Sequence, residues 1–374
     1  MITVLADQHH YHLKRYLHPA IHLESYDPIA GWNNDQIQEA DAILVRTTNP
    51  LNGKSLPTNS NIRFAGTASA GRDHLDETFL KGQNIHIADA KGSNARSVAE
   101  FVSVAVLSFC DAHAVDPENL SAGVIGAGCT GSATAEILQN IGVACRLFDP
   151  PKQEREPNNF QSVSLEEALS CDIITFHVPL ERSGSHSTWH WYSEEKIQAC
   201  AKKLVINASR GGVIDERALI KAHQAGHIGV FICDVWENEP LFSDTTADQA
   251  FLATPHIAGY SIEAKLKATQ MMCDQLHRFF GIDHPDVATS DPEKARLPDK
   301  NLSLTETIRL LHPAFSYDAS LRKLVGLPDA AKAPAFLRLR QNTPLRKEFR
   351  EISIPASIAE RFPVLGKIGF QTDE

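Results

Sequence analysis

No stretch of this 374-residue sequence is apolar for long enough to cross a membrane. The most apolar run, 101–110, falls far short of the roughly 20 residues that a bilayer-spanning helix needs. Glu100 and Asp111 bracket it, so the run predicts a buried helix. The N-terminus, MITVLADQHH, lacks the basic start and longer apolar core of a secretory signal, and the chain is expected to stay where it is made. A basic excess is also missing. With 36 Lys+Arg against 46 Asp+Glu the net charge is −10, which argues against a dedicated nucleic-acid binder. Nor is there a Cys-x-x-Cys pair: the seven cysteines are odd in number and sit mostly in apolar segments. A disulfide framework is unexpected, and a reduced cytoplasmic compartment fits. What remains is the composition of an ordinary globular protein, 43% hydrophobic and 22% charged, with chain enough for about two or three domains.

Short apolar runs recur up to residue 90 (ITVLA, IHLESY, DAILVRT, IRFAGT, IHIADA), separated by stretches long enough for crossover helices. They predict a small parallel α/β domain. Residues 94–113 place Val98, Phe101, Val102, Ala105 and Phe109 at helical spacing, with Ser97 and Glu100 as a candidate capping box, and predict a long helix linking two domains. From Ala122 strands and helices alternate plainly (AGVIG, ACRLFD, DIITFHV, KLVINA, GVFICDVW, ATPHIAG), the pattern of a Rossmann-type doubly wound parallel sheet. A helix over 262–280 follows, then a Pro- and charge-rich linker, 282–300. The remainder reads as a separate small domain.

Gly126-Ala127-Gly128-Cys129-Thr130-Gly131 is a G-x-G-x-x-G pattern, weak by itself but placed after an apolar strand and at the start of a helix. In that setting backbone N–H groups and the positive end of the helix dipole would face a pyrophosphate. About twenty residues on, the next strand ends at Asp149, where a carboxylate can accept hydrogen bonds from ribose hydroxyls and would repel a 2′-phosphate. NAD is therefore the expected cofactor.

Three polar residues follow apolar strands: Arg210, Glu239 and His256. Singly, each has a bland reading as a salt bridge, a loop cap or a structural histidine. Together, at successive carboxyl ends of one sheet, they suit oxidation of a 2-hydroxy acid, which needs a base for the hydroxyl proton. Histidine has the right pKa for that base. A carboxylate on its other ring nitrogen would fix the tautomer and raise the histidine pKa. Arginine offers a planar fork to the substrate carboxylate.

The segments NASRGGVIDE, DVWENEP and TPHIAG closely resemble motifs of the NAD-dependent D-2-hydroxyacid dehydrogenases, over roughly the first 280 residues. VRT, GTASAGRDHLD, FDPP, PHIAGYSIEAK and the tail segments FSYDASLRKL and FLRLRQNTPLRKEF are similar to a branch of that family that carries an extra C-terminal domain. The resemblance implies a Rossmann NAD-binding domain over 94–258. It also implies a flavodoxin-like α/β substrate domain from 1–93 plus 259–284, and a small α+β dimerisation domain over 285–374. It makes Arg210, Glu239 and His256 catalytic, and aligns Asp149, Val178, Ala208, Ser209, Arg210, Asp234 and Gly259 with NAD-contacting positions. Val178 stands where relatives often carry Thr, and Ser209 where they often carry Cys or Ala. Thr47, Ser69 and Tyr260 match substrate-contacting positions.

The loop Ser69-Ala70-Gly71 can offer successive N–H groups to a carboxylate. The resemblance implies a small phosphorylated 2-hydroxy acid as ligand and a homodimer as assembly, and Arg46 is the candidate partner for the substrate phosphate. Members acting on phosphoglycerate, hydroxypyruvate or glyoxylate stay open, as does an NAD(H)-sensing corepressor-like scaffold on the same fold. Arg72 is expected to be solvated. The tail arginines Arg338, Arg340, Arg346 and Arg350, with Lys347, read as a solvated or subunit-facing surface rather than a ligand contact. His9, His10, His12, His18 and His22 lack a Cys or carboxylate set at ligand spacing, so no metal is expected.

Overall fold

The computed structural model describes residues 1–285, 293–295, 297 and 302–373, and most of the expected linker lies outside them. The chain divides into two compact units, one of residues 1–94 and 262–290, the other of residues 95–261 and 291–374.

In the first unit the apolar runs become parallel strands β1 (Ile2–Asp7), β2 (Ile21–Tyr26), β3 (Ala42–Val45), β4 (Phe64–Thr67) and β5 (His86–Ala88), in the order β2-β1-β3-β4-β5. That is the flavodoxin-like order. Strands β3 and β4 are buried throughout, as a parallel sheet covered on both faces requires. One of those covers is the helix Ile262–Phe280, whose Met272, Cys273 and Leu276 join Val4, Leu44 and Phe64 in one apolar cluster. Gly66 lets it approach, since a Cβ there would lie 2.9 Å from the Met272 side chain.

The second unit holds β6 (Ser121–Ile125), β7 (Ala144–Phe148), β8 (Ile173–Phe176), β9 (Lys202–Asn207), β10 (Ile228–Cys233) and β11 (Leu252–Ala253), all parallel, in the order β11-β10-β9-β8-β6-β7. The order of succession reverses between the parallel neighbours β6 and β8, the place where such folds take ligands. Asn207, Cys233 and Ala253 pair side by side in register, so the segments leaving β9, β10 and β11 emerge at one edge.

The helix Ala95–His113 opens this unit, and its Ser97 and Glu100 are not a capping box. The helix starts only two residues before Ser97, and both side chains point inward and are fully buried. Ser97 Oγ lies 2.7 Å from Ser261 Oγ and 3.0 Å from Glu348 Oε1. Glu100 is paired with Arg346 at 2.6 Å and Arg96 at 3.0 Å, and accepts the Phe349 N–H at 2.9 Å. A polar pattern that looks like a local cap is spent on the far end of the chain.

That far end contains the helices Leu304–Leu311, Ala314–Arg322, Asp329–Asn342, Ala356–Arg361 and Val364–Ile368, and a small parallel sheet β12 (Glu293–Lys294), β13 (Ile352–Ile354) and β14 (Gln371–Thr372). It shares its core with the six-stranded sheet's helical cover: Ile308, Phe349, Leu365 and Ile368 cluster with Phe101, Val102 and Val106 of the helix Ala95–His113. Asp318 accepts the Ala253 N–H at 2.7 Å, closing the open edge of β11, and Arg322 donates to the Ala247 and Ala250 carbonyls at 2.7 Å. Arg346, expected at a surface, is 7% exposed and neutralises Glu100.

Candidate active site

After β6 the chain turns at Gly126, whose φ of +93° suits glycine, and enters the helix Cys129–Asn140 with Gly128 as its N-cap. No side chain caps that helix, so its first N–H groups remain available to an anion. A Cβ on Gly128 would meet nothing within 4 Å, leaving an open cradle over the turn, with Cys129 exposed and Thr130 half-buried beside it. Gly131 is the opposite case: a Cβ there would fall 1.8 Å from the Gly126 carbonyl oxygen. The glycine pattern therefore reserves space for a pyrophosphate and packs helix against strand. Gly131→Ala should force the helix away from the turn, weakening NAD binding by about 10-fold to 100-fold and stability by about 1–3 kcal/mol. Cofactor titration and thermal unfolding measure both.

Asp149 stands at the end of β7. Its Oδ2 accepts the Ala127 N–H at 2.8 Å and its Oδ1 accepts the Lys152 N–H at 2.9 Å, so it fixes the glycine turn and caps the helix Pro150–Arg155. Each carboxylate oxygen keeps a second lone pair for a ribose hydroxyl. Lys152, not singled out from the sequence, donates to the Ala127 carbonyl at 2.8 Å. Val178 packs over Gly126, where a Cβ would meet its side chain at 2.8 Å.

Arg210, Glu239 and His256 follow the three aligned strand ends. Asn207 Oδ1 lies 2.9 Å from Ser209 Oγ, and its amide donates to the Arg210 carbonyl at 3.1 Å, which shapes the turn after Ala208. Arg210 Nη1 donates to the Ser209 carbonyl at 2.9 Å. The next residue must be glycine, because a Cβ on Gly211 would strike the Trp236 carbonyl oxygen at 1.7 Å. Asp234 is buried, with Oδ1 2.8 Å from the Ile257 N–H and 2.5 Å from Thr254 Oγ1, and Oδ2 2.9 Å from the Ala258 N–H. These contacts leave Asp234 shaping the segment that carries His256 and Gly259. His256 itself sits at φ 58°, a left-handed conformation uncommon for a non-glycine residue, held by its N–H on the Asp234 carbonyl at 2.7 Å.

His256 Nδ1 lies 2.8 Å from Glu239 Oε2, and Glu239 Oε1 accepts the Trp236 N–H at 3.0 Å. Burial pushes the Glu239 carboxyl upward. His256, Arg340 and the Trp236 N–H outweigh that effect and hold it below the usual carboxylate range. An ionised carboxylate only accepts, so the ring proton belongs on Nδ1 and Nε2 keeps a lone pair toward the open side. The pair is thus arranged as a base with its partner charge in place.

The tail reaches this site. Arg340 Nη1 lies 4.0 Å from Glu239 Oε2 and Nη2 lies 3.4 Å from the Tyr260 hydroxyl. Phe336, one helical turn earlier, packs on Phe242, which packs on Trp236, and the Trp236 indole N–H donates to the Thr254 carbonyl at 3.0 Å. No signal in the sequence distinguished Arg340 from the surface arginines around it, because its partners lie 80 residues and more away.

In the first unit Arg46 follows β3 and donates from Nε to the buried Asp7 at 2.7 Å, beside Thr47. The loop after β4 is folded on itself, with Ser69 Oγ accepting the Gly71 N–H at 3.3 Å and Ala70 between them. Arg72 is not simply solvated: it pairs with Asp89 at 2.5 Å and Glu77 at 3.3 Å. Asp274, His277 and His284 come together in this unit. The His18 N–H donates to His277 Nε2 at 3.3 Å, which places the ring proton on Nδ1 and leaves that imidazole without a spare lone pair for a cation.

Residues 108–258 match the family profile described as D-isomer specific 2-hydroxyacid dehydrogenase, NAD binding domain. The chain is 34% identical over 348 residues to erythronate-4-phosphate dehydrogenase of Marinobacter nauticus, covering 89% of this chain and 90% of that one. It belongs to the D-isomer-specific 2-hydroxyacid dehydrogenases. Within that family the enzyme of the same name from Tolumonas auensis is 35% identical, with 90% of each chain covered. Among solved D-2-hydroxyacid dehydrogenase folds, D-lactate dehydrogenase of Aquifex aeolicus in complex with NAD and lactic acid aligns with a TM-score of 0.58 at 22% identity. An NADPH-dependent glyoxylate/hydroxypyruvate reductase of Sinorhizobium meliloti aligns with a TM-score of 0.62 at 18% identity. Both cover 75% of this chain and 95% of their own. The erythronate-4-phosphate dehydrogenases cover more of the chain than these D-2-hydroxyacid dehydrogenases do, and their matches extend into the C-terminal segment. The cofactor of this dehydrogenase is NAD.

Proposed function

We propose that this dehydrogenase oxidises 4-phospho-D-erythronate to (R)-3-hydroxy-2-oxo-4-phosphooxybutanoate, a step of pyridoxine biosynthesis. The observation that carries this reading is similarity over about nine-tenths of both chains to enzymes named for that substrate.

The site supports the chemistry. His256 Nε2 takes the hydroxyl proton while Glu239, on Nδ1, stabilises the imidazolium that forms. Arg210 orients the substrate carboxylate and polarises the oxygen that becomes a carbonyl. When bound, NAD supplies the acceptor for the hydride that leaves the substrate carbon. Gly126, Gly128, Cys129, Thr130 and Gly131 hold its pyrophosphate, Asp149 its ribose, and Val178, Ala208, Ser209, Asp234 and Gly259 line its remaining length. Ser69, Ala70 and Gly71 bind the substrate carboxylate through backbone N–H groups. Thr47, Tyr260 and Arg46, the last braced by Asp7, contact the substrate.

The assembly proposed is a homodimer through the nucleotide-binding domain and the C-terminal segment, the latter exposing Leu310 at 56% and Leu337 at 53%. The compartment proposed is the cytoplasm.

The test is NADH formation with 4-phospho-D-erythronate and D-3-phosphoglycerate under identical conditions. A preference for the four-carbon phosphate of at least about tenfold in kcat/KM is expected, that is, about 1.4 kcal/mol. Preference for phosphoglycerate moves the enzyme to another pathway and overturns the assignment. NADP should be used at least about a hundredfold less well than NAD, and Asp149→Ser should narrow that gap by removing the carboxylate that repels a 2′-phosphate.

A further inference from the structure

We infer that Arg340, supplied by the C-terminal segment of the same chain, is a specificity-determining residue that binds the phosphate end of the substrate. The inference rests on the proposed oxidation of a phosphorylated 2-hydroxy acid. Arg340 ends a line of contacts that starts at the base: Glu239 Oε2 is shared between His256 Nδ1 at 2.8 Å and Arg340 Nη1 at 4.0 Å. The other arm, Nη2, sits 3.4 Å from the hydroxyl of Tyr260, which resemblance places on the substrate, and the guanidinium lies 5.9 Å from that ring's centre.

The guanidinium is under-satisfied where it stands. Its Nε is buried without a hydrogen-bond partner, and its carboxylate contact is at the outer limit of an ion pair. A buried donor left unmade costs about 1–3 kcal/mol, a cost that a ligand anion removes when it binds. The alternative anchor, Arg46, is already committed through Nε to the fully buried Asp7 at 2.7 Å. Arg340 is therefore the less compensated charge, and its planar fork suits phosphate. A ligand whose hydroxyl meets His256 and whose chain passes Tyr260 brings an anionic group, a few bonds further on, within reach of that fork. D-2-hydroxyacid dehydrogenases that match only three-quarters of this chain lack a counterpart for a quarter of it, so a phosphate contact from the tail explains what the extra segment adds to the site.

The experiment compares 4-phospho-D-erythronate with unphosphorylated D-erythronate in wild type, Arg340→Met and Arg340→Lys, with thermal midpoint and NAD affinity measured alongside to show that the variants fold. Arg340→Met should lower kcat/KM by about 10-fold to 100-fold more for the phosphorylated substrate than for the other, on which only the loss through Glu239 remains, with Arg340→Lys in between. Equal losses on both substrates would mean that Arg340 acts through Glu239 and would overturn the inference, as would no loss on either. If wild type shows no preference for the phosphorylated acid, the substrate assignment fails by itself. Calorimetric titration of inorganic phosphate into the NAD-loaded enzyme then decides: binding lost in Arg340→Met keeps the anion site, and binding unchanged removes it.

Discussion

Replacing His256 by asparagine is expected to lower kcat for oxidation by about 10²-fold to 10⁴-fold while NAD affinity stays within about threefold of wild type. Asparagine is the informative choice because it tolerates the left-handed φ of 58° that Asp234 imposes there, so the segment keeps its shape and only the base is lost. Alanine would mix backbone strain with lost chemistry. The contact between the NAD-lining residues and His256 that Asp234 makes runs through the His256 backbone N–H, which asparagine keeps, so cofactor titration should register little. Arg210→Ala should cost a comparable factor, with a larger share in KM because the carboxylate fork is gone. Stopped-flow absorbance of NADH separates the two. Near-normal turnover in both variants would sink the mechanism, since His256 on Glu239 is the base it requires.

Arg346→Met is expected to destabilise the second unit by about 3–5 kcal/mol, the cost of leaving one member of a buried ion pair alone. Glu100 has no exposure, and its second partner, Arg96, reaches it from a position still partly open to water. The loss should depend on pH. Burial already raises the Glu100 carboxyl above its usual range against the pull of Arg346, and removing the arginine raises it further. An acid with a raised folded-state pKa binds its proton more tightly folded than unfolded, so stability falls as pH rises between the two values. The deficit of the variant should therefore be largest at alkaline pH and shrink as pH drops toward the ordinary carboxylate range. Thermal unfolding at three pH values checks the slope, and a deficit independent of pH would mean that lost packing, not the stranded carboxylate, is responsible. Replacing Glu100 and Arg346 together by Leu and Met should recover much of the stability.

The strands of the two large sheets were legible as short, largely apolar runs, and the signal is clearest in β3, β4 and β8, which are buried along their whole length. The glycine turn, Asp149 and the three strand-end residues were legible for the same local reason: short spacing along the chain fixes them near a strand terminus. The tail was not. Ser97 and Glu100 fit the spacing of a capping box, and nothing within several residues reveals that their partners are Ser261, Arg346 and Glu348. Arg340 and Arg346 looked like members of one basic surface. One turned out to be buried against Glu100 and the other to face Glu239, a difference set wholly by contacts between residues 80 to 246 positions apart. The left-handed His256 was also out of reach, since its conformation comes from Asp234, a residue on a neighbouring strand end.

The pairing of Glu100 with Arg346 across 246 positions also sets a clock on the molecule's birth. When the helix Ala95–His113 leaves the ribosome its Glu100 has only Arg96 of the same helix as a partner, and on the order of 10–50 s of further synthesis passes before Arg346 exists. Until then the apolar face of that helix, which Phe349, Leu365 and Ile368 later cover, stays uncovered on that side. A nascent chain arrested before the tail would present a carboxylate short of its buried partner beside bare hydrophobic surface, which marks unfinished copies for chaperones and proteases.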